Sequence, residues 1–193
     1  MPASRLFLLL LAGGLLQPTN AAAQTAPPRQ VIINRGRVPD GALARLEAGT
    51  TTRIPDGRYW YDRVSGAWGL EGGHTRGFTA PGLELGGRLP ADISGGGTGV
   101  FINGREIHPL DLAALQQLVG QVAPGRYWLD GQGYAGIEGG PAIANLMQVA
   151  QQLYRQNGGV GENYGGGAGA YHNPRTGIGI LTDGQGGAGV FGP

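Results

Sequence analysis

The sequence has no cysteine and no lysine, and each absence excludes a class of function. Without cysteine the chain can form no disulfide and can carry no lipid on a thiol. Without lysine it cannot contain the Gly-x-x-x-x-Gly-Lys-Ser/Thr loop that holds nucleotide phosphates. All 14 basic residues are therefore arginine, and they nearly balance the 13 acidic residues. This balance of charges argues against binding to nucleic acid or to an anionic membrane by electrostatic attraction.

Histidine and serine are scarce, which limits the catalytic and metal sites. The three histidines lie far apart in the chain, at His74, His108 and His172. They lack the short spacing of zinc ligands. Ser65 and Ser94 lack the Gly-x-Ser-x-Gly frame of serine hydrolases. The Asp-Gly-Gln-Gly turns at 130–133 and 183–186 have too few oxygen ligands for calcium. We predict no catalytic residue, no metal and no cofactor.

Residues 1–23 have the pattern of a secretory signal peptide. Arg5 precedes an apolar run that ends at Leu16, and alanines at 21–23 offer small residues for cleavage. The run is shorter than the ~20 apolar residues of a membrane-spanning helix. We therefore expect a protein exported to the periplasm or the cell exterior, with no membrane span after the signal is removed. Residues 24–30 have the composition of a flexible leader.

An internal repeat organises the rest of the chain. Asn34 and Asn103 are separated by the same number of residues as Leu46 and Leu115. The pattern of each copy indicates a strand, a turn, a helix and an aromatic hairpin. The sequence thus predicts an α+β fold at 31–157, with repeat 1 at about 31–99 and repeat 2 at about 100–157. An additional helix is predicted from Pro141 to Gln156.

The remaining residues, 158–193, form a glycine-rich tail. Forty of the 193 residues of the chain are glycine, and many of them lie here. The stretches 177–181 and 188–191 can form a small hairpin.

The aromatic hairpins supply the candidate structural and binding residues. Trp60 and Trp128 recur at matched places, so we interpret them as core residues; a platform for stacking sugar rings is the alternative. Asn103 and Gly104 form a strong hairpin-turn dipeptide and are also assigned a structural role. The candidate binding residues on an exposed surface are Tyr61, Trp68 and Tyr134.

Two carboxylates also recur, since Asp62 and Glu71 return as Asp130 and Glu138. A glycosidase needs two such groups across a sugar site. Both pairs lie beside turns, however, where Asp accepts backbone N–H bonds and Glu can pair with a nearby arginine. Catalysis is therefore the weaker interpretation.

A longer motif surrounds the first hairpin. It contains 60–62, 65–66, 68–69 and 71–72, and continues through Leu83, Leu85, Leu89, Ala91-Asp92, Ser94, Gly96, Thr98, Val100 and 102–107. This motif resembles a block of the plant extra-large G proteins that lies before their Gα-like domain, and similar stretches are found in exported bacterial proteins. The resemblance implies a shared module without GTPase chemistry. We expect an exported non-catalytic module that binds a protein or a cell-envelope polysaccharide. The alternative is a glycan-acting hydrolase that uses the paired carboxylates.

Overall fold

The computed structural model contains three helices and fourteen strands in the part of the chain that it describes. The described residues are 28–48, 53–156, 161–164, 168–172, 179–183 and 188–191. Their strands form two five-stranded sheets and one four-stranded sheet. None of the helices in these ranges is long and apolar enough to cross a bilayer. The expected signal peptide at 1–23 lies outside the described residues, as does most of the leader.

The first half is a mixed sheet with one helix. Its elements are β1 (Val31–Ile33), β2 (Gly36–Arg37), α1 (Asp40–Glu47), β3 (Gly57–Tyr61), β4 (Ala67–Leu70) and β5 (Thr75–Phe78). The sheet order is β2-β1-β3-β4-β5, and β1 lies parallel to β3. Asp40 lies in the first turn of α1 and not at the N-cap, which is Pro39. Leu43 of α1 is fully buried.

The second half repeats this arrangement. Its elements are β6 (Val100–Ile102), β7 (Arg105–Glu106), α2 (Pro109–Val119), β8 (Gly125–Leu129), β9 (Tyr134–Ile137) and β10 (Ala142–Asn145). The sheet order is β10-β9-β8-β6-β7, and β6 lies parallel to β8. His108 caps α2, because its Nδ1 accepts a hydrogen bond of 3.1 Å from the backbone N–H of Leu110.

The registers of the two sheets match. Val31 faces Gly57 across β1 and β3, and Val100 faces Gly125 across β6 and β8. Trp60 faces Gly69 in the first hairpin, as Trp128 faces Gly136 in the second. The prediction of an α+β fold built from a duplicated unit is confirmed.

Helix α3 (Leu146–Gln156) starts later than the sequence predicted. The prediction began this helix at Pro141, but residues 142–145 form β10, the counterpart of β5. Hydrogen-bonded pairing with β9 makes residues 142–145 a strand, although their sequence fits the apolar periodicity of a helix. A backbone bond of 2.8 Å from Leu146 N–H to the carbonyl of Gly133 joins the helix start to the hairpin turn.

The third sheet is an antiparallel meander near the C-terminus. Its strands are β11 (Gly161–Tyr164), β12 (Ala168–His172), β13 (Gly179–Asp183) and β14 (Ala188–Phe191), in sequential order. The predicted small hairpin corresponds to β13 and β14. Strand β14 contacts β5 and α3, so this sheet adjoins both halves.

The core is unequal between the halves. In the first half, Tyr61 and Leu43 pack with Val31, Ile33 and Val38, and Leu83 and Leu85 cover this cluster from the linker between the halves. A second cluster contains Trp60, Ala67 and Ile93. In the second half, the cluster formed by α2 and α3 contains Leu118 and Ala150.

Candidate functional site

A cleft of about 230 Å³ lies where the two halves meet, and we call it the junction cleft. The first half contributes the ends of β3, β4 and β5, including Asp62, Ala67 and Phe78. The second half contributes β6, the end of β8 and one face of α2, including Ile102 and Leu129. The start of α3 closes one side. Its walls are mostly apolar, as in sites that bind small ligands or side chains.

The junction cleft is open because of two differences between the repeats. Tyr61 fills the space between helix and sheet in the first half, whereas its counterpart Leu129 is smaller and borders the cleft. The linker adds Leu83 and Leu85 over the first half. At the same point after the second hairpin, the chain turns into α3. The second half therefore keeps an unfilled version of a space that the first half fills with its own residues.

Asp62 joins the two halves at the base of the cleft. Its Oδ2 accepts a hydrogen bond of 2.6 Å from Asn103 Nδ2, and its Oδ1 accepts one of 2.9 Å from Val64 N–H. The hydroxyl of Ser65 also donates to Oδ2. Asn103 bonds both backbone groups of Leu129, at 2.7 and 3.1 Å. This network positions Asp62 and leaves its carboxylate fully engaged.

Arg105 is the buried cation of the site. Its Nη1 donates to Ser94 Oγ at 2.8 Å and lies 3.3 Å from Asp111 Oδ2. Its Cζ is 3.9 Å from the ring centroid of Trp60, a cation–π contact between the halves. Burial lowers the pKa of Arg105, while the charges of Asp111 and Asp62 oppose that shift. An arginine stays protonated in this setting, so the group acts as a fixed positive charge.

Three further polar side chains of the cleft are also bonded to the protein. Asp111 Oδ1 accepts a bond of 2.9 Å from Thr75 N–H. Asp130 Oδ1 accepts two bonds of 2.9 Å, from the N–H groups of Gln132 and Tyr134. His74 Nδ1 lies 2.8 Å from the carbonyl of Thr75. These carboxylate oxygens thus serve turns and ion pairs, whereas Asp130 Oδ2 has no hydrogen-bond partner in the described part of the chain, and the cleft offers a ligand mainly an apolar surface.

The paired carboxylates considered for glycan hydrolysis do not converge. Glu71 pairs with Arg58 at 2.6 Å and with Arg35 at 3.5 Å, and Glu138 pairs with Arg126. The hydrogen bond from Arg58 is the main reason that the pKa of Glu71 is lowered. Neither glutamate borders the junction cleft, where the two aspartates Asp62 and Asp130 lie. No group of three or more potential metal ligands occurs within the described ranges.

The three candidate binding residues are separated by the fold. Tyr61 is only 3% exposed and its hydroxyl donates to the carbonyl of Ala80 at 2.6 Å, so the expected exposure of this ring is corrected. Trp68 is half-buried against the core of the first half. Tyr134 is 43% exposed on β9. They do not form one surface, because alternate residues of a strand face opposite sides of the sheet.

The residues assigned a structural role also differ among themselves. Trp60 is fully buried, and its Nε1 donates to the carbonyl of Gly73 at 3.0 Å. Trp128 makes the same bond to Gly140 at 3.1 Å but is only half-buried. The expectation of a core position for Trp128 is therefore corrected. Asn103 and Gly104 form the turn between β6 and β7, with φ of +50° and +86°.

Sequence reasoning missed Arg105 and Asp111. Their counterparts in the first repeat are Gly36 and Ala42, so the repeat itself carries no signal for an ion pair. A difference between the two copies could have indicated them. At both positions the second copy has a charged residue where the first copy has a small one.

The comparisons with known proteins support the resemblance. The chain is 36% identical over 121 residues to extra-large guanine nucleotide-binding protein 1 of Arabidopsis thaliana, and 31% identical over 121 residues to protein 2 of that name. Each match covers 61% of this chain but only 14% of the relative, so the chain spans about a seventh of their length. No family model matches the chain, and no solved structure matches it.

These relatives correct the predicted location. Both relatives are named as guanine nucleotide-binding proteins of a plant, and neither name describes an exported protein. The prediction of a periplasmic or extracellular protein is therefore wrong. Over the matched residues, the chain resembles the block that precedes the Gα-like domain of the plant extra-large G proteins.

Proposed function

We propose that the chain is a non-catalytic module that binds a protein partner, and that the junction cleft receives a short apolar segment of that partner. One observation carries this proposal: the equivalent space in the first half is filled by the chain itself. Tyr61, Leu83 and Leu85 fill it there, while the second half has an open cleft of about 230 Å³. On this proposal, the second half keeps open a space that the chain's own leucines occupy in the first half.

The occupied copy indicates how a partner segment would bind. Leu83 and Leu85 lie at the two ends of a tight turn, in which Leu85 N–H donates to the carbonyl of Leu83 at 3.1 Å, and the nearby Gly87 donates its N–H to the carbonyl of Ile33 at 3.2 Å. Asn34 Nδ2 donates to the carbonyl of Gly87 at 3.1 Å. The first half therefore holds a turned segment by two apolar side chains and by hydrogen bonds to its backbone at Gly87.

The names of the relatives do not extend nucleotide binding to this module. The matched block covers 14% of those proteins, and this chain lacks the lysine of a phosphate-binding loop. In a longer protein, a module of this kind would recruit a partner while another part performs the nucleotide chemistry.

The test uses a substitution that the chain itself suggests. Leu129→Tyr places in the second half the residue that fills the first half, so it should close the cleft without disturbing the fold. The probe is a capped peptide with the sequence of residues 82–87, which contains both leucines of the filled copy and no arginine. We expect calorimetry to show weak binding to the full chain and at least a tenfold loss with Leu129→Tyr, since about one buried leucine is excluded.

Ile137→Ala is the matched control, because Ile137 is 59% exposed on β9 and does not border the cleft. It should bind the peptide as the unchanged chain does. Equal binding by the unchanged chain and by Leu129→Tyr would refute the cleft as the site. Release of sugar from glycans by the purified chain, with loss of that activity in Asp62→Asn, would instead favour the hydrolase alternative.

A further inference from the structure

An aromatic surface lies on the outer side of the second sheet, away from α2. Phe101 pairs with Arg126 in register, and Trp128 lies two residues beyond Arg126, so all three point to the same side. Tyr134 precedes Gly136, the partner of Trp128, by two residues and shares that side. We call Phe101, Trp128 and Tyr134 the aromatic face. Trp128 and Phe101 are half-buried, and Tyr134 is 43% exposed.

The corresponding side of the first sheet is covered by other residues of the chain. Trp60, the counterpart of Trp128, is fully buried beneath the guanidinium of Arg105, whose Cζ lies 3.9 Å from the ring centroid. Ile93 packs against the same cluster. Ala67, the counterpart of Tyr134, is 4% exposed. The tryptophan of the first hairpin is therefore a docking place for an arginine that comes from outside its own sheet.

A carboxylate accompanies the tryptophan in both halves. Asp62 lies two residues after Trp60, and its charge acts on Arg105. Asp62 Oδ2 also accepts the hydrogen bond from Asn103 of the other half. Asp130 lies two residues after Trp128 and uses only Oδ1 for its turn. Its Oδ2 has no hydrogen-bond partner in the described part of the chain, so this lobe of the carboxylate is available to a cation or a donor.

We propose that the aromatic face is a second interaction surface, which binds an arginine-bearing segment of a partner protein. The guanidinium stacks on Trp128 as Arg105 stacks on Trp60, and Asp130 supplies the negative charge that Asp62 supplies in the first half. Arginine suits this place better than lysine, because its planar group stacks on an indole while donating hydrogen bonds at its edge. None of the three rings lines the junction cleft, although Asp130 does, so the two surfaces adjoin at this carboxylate.

The chain's own Arg126 leaves this place on Trp128 open. It lies on the same side of the sheet, but its Cζ is 5.4 Å from the ring centroid of Phe101 and its guanidinium pairs with Glu138. Its positive charge is therefore offset by a carboxylate of its own. An incoming arginine would meet Trp128 and Asp130 without an uncompensated like charge beside them.

A second copy of the chain is a poorer occupant than another protein. The arginine that covers a tryptophan in this fold is Arg105, and each copy already uses its own Arg105 on its own Trp60. The surface of the first half around Asn34 is occupied by the linker at Gly87. A copy that stacked end to end would thus meet a covered surface.

The test monitors the three tryptophan indole N–H signals of the full chain by NMR, during titration with capped Gly-Arg-Gly or capped Gly-Lys-Gly. We expect the Trp128 signal to shift with the arginine peptide, with an affinity about two- to fivefold greater than for the lysine peptide. The Trp60 and Trp68 signals serve as internal controls and should stay in place, because Trp60 is already covered and Trp68 lies on the other side of its sheet.

Two variants separate charge from stacking. Asp130→Asn keeps an oxygen for the two backbone N–H groups and removes the charge, so we expect about two- to fivefold weaker binding of the arginine peptide. Tyr134→Ser removes an exposed ring and should weaken binding of the arginine peptide similarly. Leu129→Tyr, which closes the junction cleft, should leave the Trp128 response unchanged.

Four outcomes would overturn the proposal. They are the absence of any shift at Trp128, an equal response to both peptides, loss of the response in Leu129→Tyr, and a Trp128 signal that moves with protein concentration when no peptide is present. The third would place the peptide in the cleft, and the last would show that a second copy covers the face.

Discussion

Trp60 and Trp128 occupy the same place in two matching hairpins, but only Trp60 is sealed from water. Each ring packs on a glycine of the facing strand, since a Cβ at Gly69 would come within 2.8 Å of Trp60, and one at Gly136 within 2.7 Å of Trp128. The difference comes from the other side of the ring, where Arg105 covers Trp60. The burial of each tryptophan thus depends on whether a later part of the chain returns to cover it.

This difference predicts unequal costs of truncation. Trp60→Ala should lower the free energy of unfolding by about 3 to 5 kcal/mol, as expected for a buried aromatic residue. Trp128→Ala should cost about 1 to 2 kcal/mol less, because the ring already keeps part of its surface in water. Denaturant melts of both variants check this. Equal losses would mean that Trp128 is covered in solution.

The ion pair of Arg105 and Asp111 predicts a non-additive pair of variants. Asp111→Asn retains an acceptor for the N–H of Thr75 but leaves Arg105 buried with less negative charge, so we expect a loss of about 3 kcal/mol. Adding Arg105→Met should recover much of that loss, because the uncompensated charge is then removed. Urea melts of the single and double variants measure the coupling. A double variant less stable than Asp111→Asn would contradict this account.

At the scale of elements, the turns after β1 and β6 tie each first strand to the aromatic hairpin. Asn103 reaches β8 through the backbone of Leu129, as Asn34 reaches β3 through the backbone of Tyr61 at 2.8 and 2.9 Å. Both asparagines have positive φ, at +50° and +51°. Their side chains therefore replace the bonds that a longer β-ladder would make between two parallel strands.

We predict different losses of stability for substitutions at the two turn residues, Asn103 and Gly104. Gly104→Ala should cost about 1 kcal/mol, because φ is +86° and nothing lies within 4 Å of the added carbon, which leaves only the backbone cost. Asn103→Ala should cost about 2 to 3 kcal/mol, since it also leaves the bonds of Leu129 and Asp62 without a partner. Thermal melts rank the two. A greater loss for Gly104→Ala would show that the side-chain network is dispensable.

The sequence predicted the elements that repeat and missed those that depart from the repeat. The duplication, the hairpins and α2 are indicated by spacing and turn residues that recur. The start of α3 was not, because the strand pairing of residues 142–145 outweighs their helical pattern. The junction cleft could not be predicted either. It results from the smaller side chain of Leu129 and from the path of the linker, and both are matters of packing in three dimensions.

At the scale of the molecule, the third sheet adjoins the two halves without joining either of their sheets. It meets them at β5 and α3 through β14. The two halves, in contrast, share the Asp62–Asn103 bond and the Arg105–Trp60 contact. We therefore treat the halves as one cooperative unit and the third sheet as an addition to it.

Shortening the chain tests this organisation. A fragment of residues 28–157 should unfold in a single cooperative transition, because the clusters around Trp60, Leu43 and Leu118 lie within it. Its melting temperature should be only slightly below that of the full chain. Scanning calorimetry of the two proteins gives the comparison, and an unfolded fragment beside a folded full chain would place β14 in the core.

The cover that Arg105 provides for Trp60 also bears on how the protein is made. Translation delivers the first hairpin well before residue 105, so the indole of Trp60 emerges from the ribosome with its outer side bare. The first half therefore cannot bury Trp60 fully until Arg105 of the second half has been synthesised. The chain thereby presents the nascent first half to chaperones during the synthesis of about 45 further residues.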